Sequence, residues 1–289
     1  MSQRTALGID VGGTKIAAAI VDLDDGTVSN RRRIPTDRDD GGQAVAARIR
    51  NLVQDILAKA EVAPTGVGIG LPELVTNAGV PASSWNFDIA LQSLQDVGDG
   101  LPVVLDSDVR CGARAEMLYG AGRPFRNFSY VSIGTGLSTT QIINKQIHTG
   151  ENGFAIHFGS NALVIPNSQG PIIDFKLEDY ASGHAISKAL GLAQFDVDEA
   201  LAGKLGTDAQ TRVKYSIRST ASYLGQIVNM LDPAAIIIGG GMGLAPAYLT
   251  ELKVSLPEFI WAESCRNLPL CPAALGPNVG TVGAAAIFY

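Results

Sequence analysis

The run Asp10-Val11-Gly12-Gly13-Thr14-Lys15 gathers a carboxylate, two glycines, a hydroxyl and an ammonium into one short stretch. An apolar run over 6–11 precedes the glycines and a second β-like run over 15–21 follows, so the glycines fall in the turn of a predicted hairpin. Turn glycines leave backbone N–H groups open, and with the Thr14 hydroxyl they can cradle a phosphate. Asp10, at the strand end, is placed to hold Mg²⁺ through water, because that ion usually keeps part of its hydration shell. An ordinary tight hairpin with a capping Asp reads equally well from these residues.

Three further stretches carry chemistry. Gly134-Thr135-Gly136 repeats the strand-to-turn glycine pair with a hydroxyl, although a plain hairpin accounts for it when taken alone. Gly239-Gly240-Gly241 follows the all-apolar run 234–238, and missing side chains there would let a flat ligand lie against backbone. Leu105-Asp106-Ser107-Asp108 puts two carboxylates at a strand end, candidates for a general base. Helix N-capping by Ser107 or Asp108 is the structural alternative, and the two roles are compatible.

The elements that must position these residues follow from periodicity. A third strand is predicted at 27–34, after the Asp25-Gly26 turn signal. Apolar residues at Val45, Ile49, Leu52, Val53, Ile56 and Leu57 predict a helix over 43–60 with one buried face. Strands are predicted at 66–71 and 102–105, separated by a long Gly/Pro/Asn/Ser-rich loop, 72–87, of the kind that more often carries function than not. Helices are predicted at 109–119, 182–190, 212–231 and 280–288, and strands at 129–134 and 140–144; the stretch 150–171 reads as irregular. Two α/β halves emerge, each opening on a glycine-turned hairpin, with a changeover near 120–128. The predicted lobes are 1–120 and 121–289, with the last helix, 280–289, returning to the first.

Composition bounds the function. The chain has 289 residues, 46% of them hydrophobic, enough for two packed lobes. A net charge of −6 and a single short basic run, Arg31-Arg32-Arg33, argue against nucleic acid as the partner. The three cysteines, Cys111, Cys265 and Cys271, lie far apart, which suits a reducing interior. No apolar run approaches the roughly 18 residues that cross a bilayer, and none resembles a signal peptide. A cytoplasmic protein that binds no membrane is expected.

The order of the four stretches resembles the sugar kinases of the actin-like ATPase superfamily, and more closely the ROK family (repressors, open reading frames and kinases). The matching segments are 8–15, Ser107-Asp108 with 113–116, Gly134-Thr135-Gly136, and Gly150-Glu151-Asn152-Gly153. Leu177-Glu178 with 180–183, Asp232-Pro233 before the glycine run, and Gly283-Ala284-Ala285 complete them, so the resemblance spans nearly the whole chain. It implies an α/β, two-lobed actin-like ATPase (ribonuclease H-like) fold with a central interlobe cleft. It implies an ATP- and Mg²⁺-dependent kinase acting on a hydroxyl of a hexose-like sugar, whether glucose-type, aminosugar or carbasugar, and commonly a homodimer. By the same resemblance Asp108 is the general base. The turns with Asp10, Gly12, Gly13, Thr14, Lys15 and with Gly134, Thr135, Gly136 hold the ATP phosphates, and Gly239, Gly240 and Gly241 border the adenosine. Asn86, Ser107, Asn152 and Glu178, together with Asp108, face the acceptor.

Departures from the family pattern gather at the acceptor side. The stretch 159–177, where many members carry a Cys/His zinc site, contains neither residue, so no structural zinc is expected. His157 stands where the family has a sugar-contacting Glu, and Ser160 where it has a His. A neutral imidazole can both donate to and accept from a hydroxyl, so His157 is read as an acceptor ligand. Ser138-Thr139-Thr140 replace a glycine run, and Ser107 replaces a customary Asn. Two alternatives stand beside the kinase: a catalytically silent sugar sensor, against which both Asp10 and Asp108 speak, and a polyphosphate-dependent glucokinase, which would want a basic channel. A DNA-binding regulator would need a domain ahead of the first hairpin.

Overall fold

The structure is a computed structural model that describes residues 4–165 and 173–289. The chain divides into two compact units, Met1–Pro124 with Gln146–Ala155 and Ala274–Tyr289, and Phe125–Lys145 with Ile156–Ala273. Three segments expected in the C-terminal lobe, 121–124, 146–155 and 274–279, therefore group with the first unit. For 146–155 the reason is local. Asn77 donates to the carbonyls of Gly150 and Glu151 at 3.1 and 2.9 Å, and Arg110 donates to that of Gly153.

The first unit is built on strands β1 (Thr5–Val11), β2 (Lys15–Asp22), β3 (Val28–Pro35), β4 (Val67–Leu71) and β5 (Val103–Ser107), in spatial order β3-β2-β1-β4-β5. β1 and β2 form the antiparallel hairpin, while β1, β4 and β5 run parallel. β1 is buried along nearly its whole length, as a central strand covered on both faces must be. Its odd residues, Leu7, Ile9 and Val11, join the apolar face of α1 (Gly42–Leu57). Its even residues face the other way, so that Ala6 packs with Ala115 of α3 (Asp108–Tyr119) and with Val282 and Ala285 near the chain end. Arg31, Arg32 and Arg33 are exposed on β3, where charge discourages further strand pairing at the sheet edge. A short α2 (Leu91–Gln95), which carries no long periodic pattern, closes the loop after β4.

The second unit holds β6 (Phe128–Ile133), β7 (Leu137–Ile143), β11 (Ile236–Gly239) and β12 (Leu270–Pro272). β11 lies parallel between β6 and β12, and β6 and β7 form the second glycine-turned hairpin. β8 (Gln146–His148) opens the excursion that returns to the first unit. β9 (Ala162–Ile165) and β10 (Ile173–Lys176) pair antiparallel. The irregular stretch expected over 150–171 thus contains a strand at 162–165, and its last residues, 166–171, lie outside the described residues. Helices α4 (Leu177–Ala181), α5 (Gly183–Leu190), α6 (Val197–Leu201), α7 (Thr207–Leu231) and α8 (Pro246–Ser255) follow. The 25-residue α7 buries Val213, Ile217, Ala221, Leu224 and Val228 along one face, while Leu231, which the same spacing placed on that face, is exposed at the helix end. α4, α6 and α8 escaped that reading because they are too short or too weakly amphipathic to show a period.

The last helix, α9 (Val279–Ala285), lies in the first unit against β1, β4 and α3. Its approach is possible only over glycine. A Cβ on Gly8 would lie 1.9 Å from the Thr281 carbonyl oxygen, one on Gly68 1.9 Å from that of Ala284, and one on Gly283 1.7 Å from that of Cys111.

Candidate active site

In the first unit the turn between β1 and β2 is held from behind. Gly12 N–H donates to the Lys15 carbonyl at 2.9 Å, and the fully buried Thr36 ties the turn to the end of β3. Its hydroxyl donates to the Gly12 carbonyl at 2.6 Å and its N–H to that of Thr14 at 3.1 Å. With these carbonyls occupied, the outer side of the turn is left to Gly13, Thr14 and Lys15, all exposed. A Cβ on Gly13 would touch nothing in the protein, so packing does not demand glycine there. Close approach of a ligand would. Thr36 gave no signal in the sequence; it is one hydroxyl among many.

Asp10 is half-buried at the end of β1, and burial pushes its carboxyl up while Lys15 pulls it down. Gly280 of α9 backs it so closely that a Cβ would sit 2.4 Å from the Asp10 carboxyl carbon.

The two carboxylates at the end of β5 have different fates. Asp106 is buried and spent: Arg110 Nε donates to one oxygen, Arg114 Nη2 to the other at 2.6 Å, and Ser107 N–H to the first at 2.8 Å. Asp108, the first residue of α3, has no cation paired with it among the described residues and accepts the Val109 N–H at 2.6 Å. Burial, then the charge of nearby Asp10, push its carboxyl up to about 7. That is the value wanted in a base working near neutrality. Ser107 holds the N-cap position of α3, but its buried hydroxyl makes no capping bond.

The loop after β4 is ordered from inside by Glu73, 5% exposed. Its carboxylate accepts the N–H groups of Trp85, Asn86 and Phe87 at 3.1, 2.6 and 3.1 Å, and the hydroxyl of Ser83. Asn86 in turn donates its side-chain amide to the Pro72 carbonyl at 2.7 Å. A cavity of about 330 Å³ behind this loop is lined by Leu71, Glu73, Ser83, Phe87, Asp88 and Leu94, and by none of the predicted site residues. Asn152 is exposed on a turn whose neighbours are pinned on either side, Glu151 to Asn77 of the same loop and Gly153 to Arg110 of α3. Sequence reasoning missed Glu73 and Arg110. The Asp106/Arg110 spacing of four on a helix start was the available signal for the second.

In the second unit, Gly134 N–H donates to the Gly136 carbonyl at 3.0 Å. The carbonyls of Gly134 and Thr135 accept the N–H groups of Gly183 and His184 at 2.8 and 3.2 Å, at the start of α5. Glu178 of α4 closes the turn: its carboxylate accepts the Leu137 N–H, and burial pushes it up. A Cβ on Gly136 would lie 2.6 Å from its Oε1. His157 is half-buried, and burial lowers its pKa, which keeps the imidazole neutral.

β6 and β11 are parallel neighbours, with Gly239 opposite Ser132, so the glycine run and the 134–136 turn lie side by side at their carboxyl ends. The three glycines of the run differ. A Cβ on Gly239 would strike the Tyr130 hydroxyl, and Gly240 has φ +80° with the Ile133 carbonyl 2.4 Å from its Cβ position; Gly241 faces open space. Only Gly241 is free to let a ligand approach. Gly13→Ala is expected to raise the KM for ATP roughly tenfold, because its Cβ would hold a phosphate out of hydrogen-bond reach of the turn, with the melting temperature unchanged. Gly240→Ala should instead lower the melting temperature, by the roughly 1–2 kcal/mol of a left-handed non-glycine residue plus the clash. Steady-state kinetics and thermal melts of the two variants separate the cases.

The family model of ROK, the ROK family, matches residues 6–289. The chain belongs to the ROK family. A glucokinase of Halalkalibacterium halodurans is 28% identical to it, over 98% of this chain and 94% of that protein. An N-acetylmannosamine kinase of Vibrio cholerae is also 28% identical, over 96% and 97%. The solved structure of a ROK family glucokinase from Streptomyces griseus, in complex with glucose and AMPPNP, matches 98% of each chain with a TM-score of 0.77 at 26% identity. The α/β fold is that of the ROK sugar kinases, an actin-like ATPase fold as the sequence led one to expect.

Proposed function

We propose that this ROK protein is an ATP-dependent sugar kinase in which Asp108 takes the proton from the attacking acceptor hydroxyl. The observation that carries this reading is the contrast at the end of β5, where Asp106 is neutralised by two arginines and Asp108, pushed up to about 7, is left able to accept a proton. In the first unit the outer side of the turn, at Gly13, Thr14 and Lys15, binds phosphate, while the Gly12 N–H is held by the Lys15 carbonyl; Asn86, Ser107 and Asn152 hold acceptor hydroxyls. In the second unit the 134–136 turn binds phosphate, Gly241 admits the nucleoside, and Glu178 and neutral His157 orient the acceptor. Phosphoryl transfer needs alignment and charge neutralisation above all, and these residues supply both. The hard carboxylate oxygens of Asp10 and its half-buried setting fit Mg²⁺ held through water, an ion that would neutralise phosphate charge when bound.

The test is ADP release from ATP and Mg²⁺ with glucose, N-acetylmannosamine, other aminosugars and cyclitols as acceptors. One acceptor with Asp108-dependent turnover supports the reading, and melting-temperature shifts by sugars without any turnover would point to a sensor instead. Since the base must be ionised, kcat/KM for the acceptor is expected to fall tenfold per pH unit below a limb near pH 7 and to level off above it. A flat profile between pH 5.5 and 8 would contradict Asp108 as the base.

A further inference from the structure

Arg110 is a deeply buried cation of the first unit, with 2% of its surface exposed. Its three nitrogens are directed at three separate pieces of chain. Nε meets Asp106 at the end of β5, Nη2 meets the Val75 carbonyl of the loop after β4 at 2.8 Å, and Nη1 meets the Gly153 carbonyl. Each piece carries an acceptor-facing residue of the proposed site: Asp108 after Asp106, Asn86 on the loop, and Asn152 next to Gly153. A second tie runs parallel at the surface, where Asn77 of the loop donates to the carbonyls of Gly150 and Glu151. The fit between loop and turn is close, for Gly153 sits at φ +88° and a Cβ there would lie 2.6 Å from the Val75 carbonyl oxygen.

We propose that Arg110 and Asn77 form a clasp that sets the spacing between the Asn86 loop and the Asn152 turn, and that this spacing selects the acceptor. The inference rests on the kinase reading above for its assignment of Asn86 and Asn152 to the acceptor. Both residues are positioning residues; neither touches substrate. Guanidinium suits the task because its rigid fork reaches two carbonyls and a carboxylate at once, and a lysine ammonium is a point charge on a flexible stem.

The experiment compares wild type, Arg110→Lys and Asn77→Ala with glucose and with N-acetylmannosamine. Losing a hydrogen bond to a charged donor is worth roughly tenfold in affinity. Arg110→Lys is expected to raise acceptor KM by about that factor, to leave the KM for ATP within about twofold, and to change the ratio of kcat/KM between the two acceptors. Asn77→Ala, whose tie is at the surface and whose loss carries little folding risk, should move the same ratio in the same direction by a smaller factor. A lowered melting temperature with both KM values and the acceptor ratio unchanged would overturn the clasp and leave Arg110 a purely structural ion pair. Calorimetric binding of the same two sugars reads acceptor affinity without turnover. A weaker sugar affinity in the variants therefore supports the clasp even where wild type releases no ADP, the result that would sink the kinase reading alone.

Discussion

Asp108→Asn is expected to cut kcat by a factor of about 10² to 10⁴, the usual worth of a positioned base, while the protein melts at or above the wild-type temperature. The substitution keeps the shape of the side chain and the bond from Val109 N–H, and it removes a carboxyl that burial and Asp10 already disfavour as an anion. Folding therefore loses nothing by it, and only proton acceptance is lost. Asp106→Asn supplies the contrast, since that carboxylate is the counter-charge of Arg110 and Arg114. Removing one partner of a buried pair costs about 3–5 kcal/mol, so Asp106→Asn should melt early. Acceptor-dependent ADP release at wild-type rate in Asp108→Asn would end the proposed mechanism, whatever the stability data show.

Gly8→Ala and Gly283→Ala are expected to be among the most damaging single-methyl additions in the first unit. At both positions the new Cβ meets backbone, within 1.9 Å of the Thr281 carbonyl oxygen and 1.7 Å of that of Cys111. A side chain could swing aside, but these are parts of α9 and α3, so a helix must move. Overpacking of this kind costs typically 1–3 kcal/mol and sometimes more, and a loss of about 3 kcal/mol corresponds to roughly 6–12 °C in melting temperature for a domain of this size. Activity should fall as well. α9 carries Gly280 against the Asp10 carboxyl, so displacing the helix removes the backing of a proposed phosphate-side residue. Thermal melts with Gly13→Ala as the control decide the matter. Equal melting temperatures for all three variants would mean that α9 does not approach β1 and α3 as closely as described.

Much of the architecture was legible in the letters because it depends on short-range rules. Short apolar runs on either side of a glycine turn predict the β1–β2 hairpin without reference to the rest of the chain, and the apolar spacing over Val45 to Leu57 and over 212–231 predicts α1 and α7 in the same way. The order of the glycine turns and of Asp108 carried the family resemblance, which the match over 6–289 establishes.

Tertiary structure alone decided what identical letters do. Asp106 and Asp108 are equal candidates in sequence, and they part only because α3 turns Arg110 and Arg114 onto the first of them. Gly239, Gly240 and Gly241 read as one run, yet Tyr130 and Ile133, distant in sequence, reserve the first two for packing and leave the third open. The return of 146–155 to the first unit is written in hydrogen bonds from Asn77 and Arg110 to backbone carbonyls, which every residue has and no sequence pattern distinguishes. The sequence by itself determined which elements form and which chemistry they carry, because propensity and period are local. Charge pairing, close approach and the choice of partner for a backbone carbonyl depend on what the folded chain brings near, and there the tertiary structure had the deciding part.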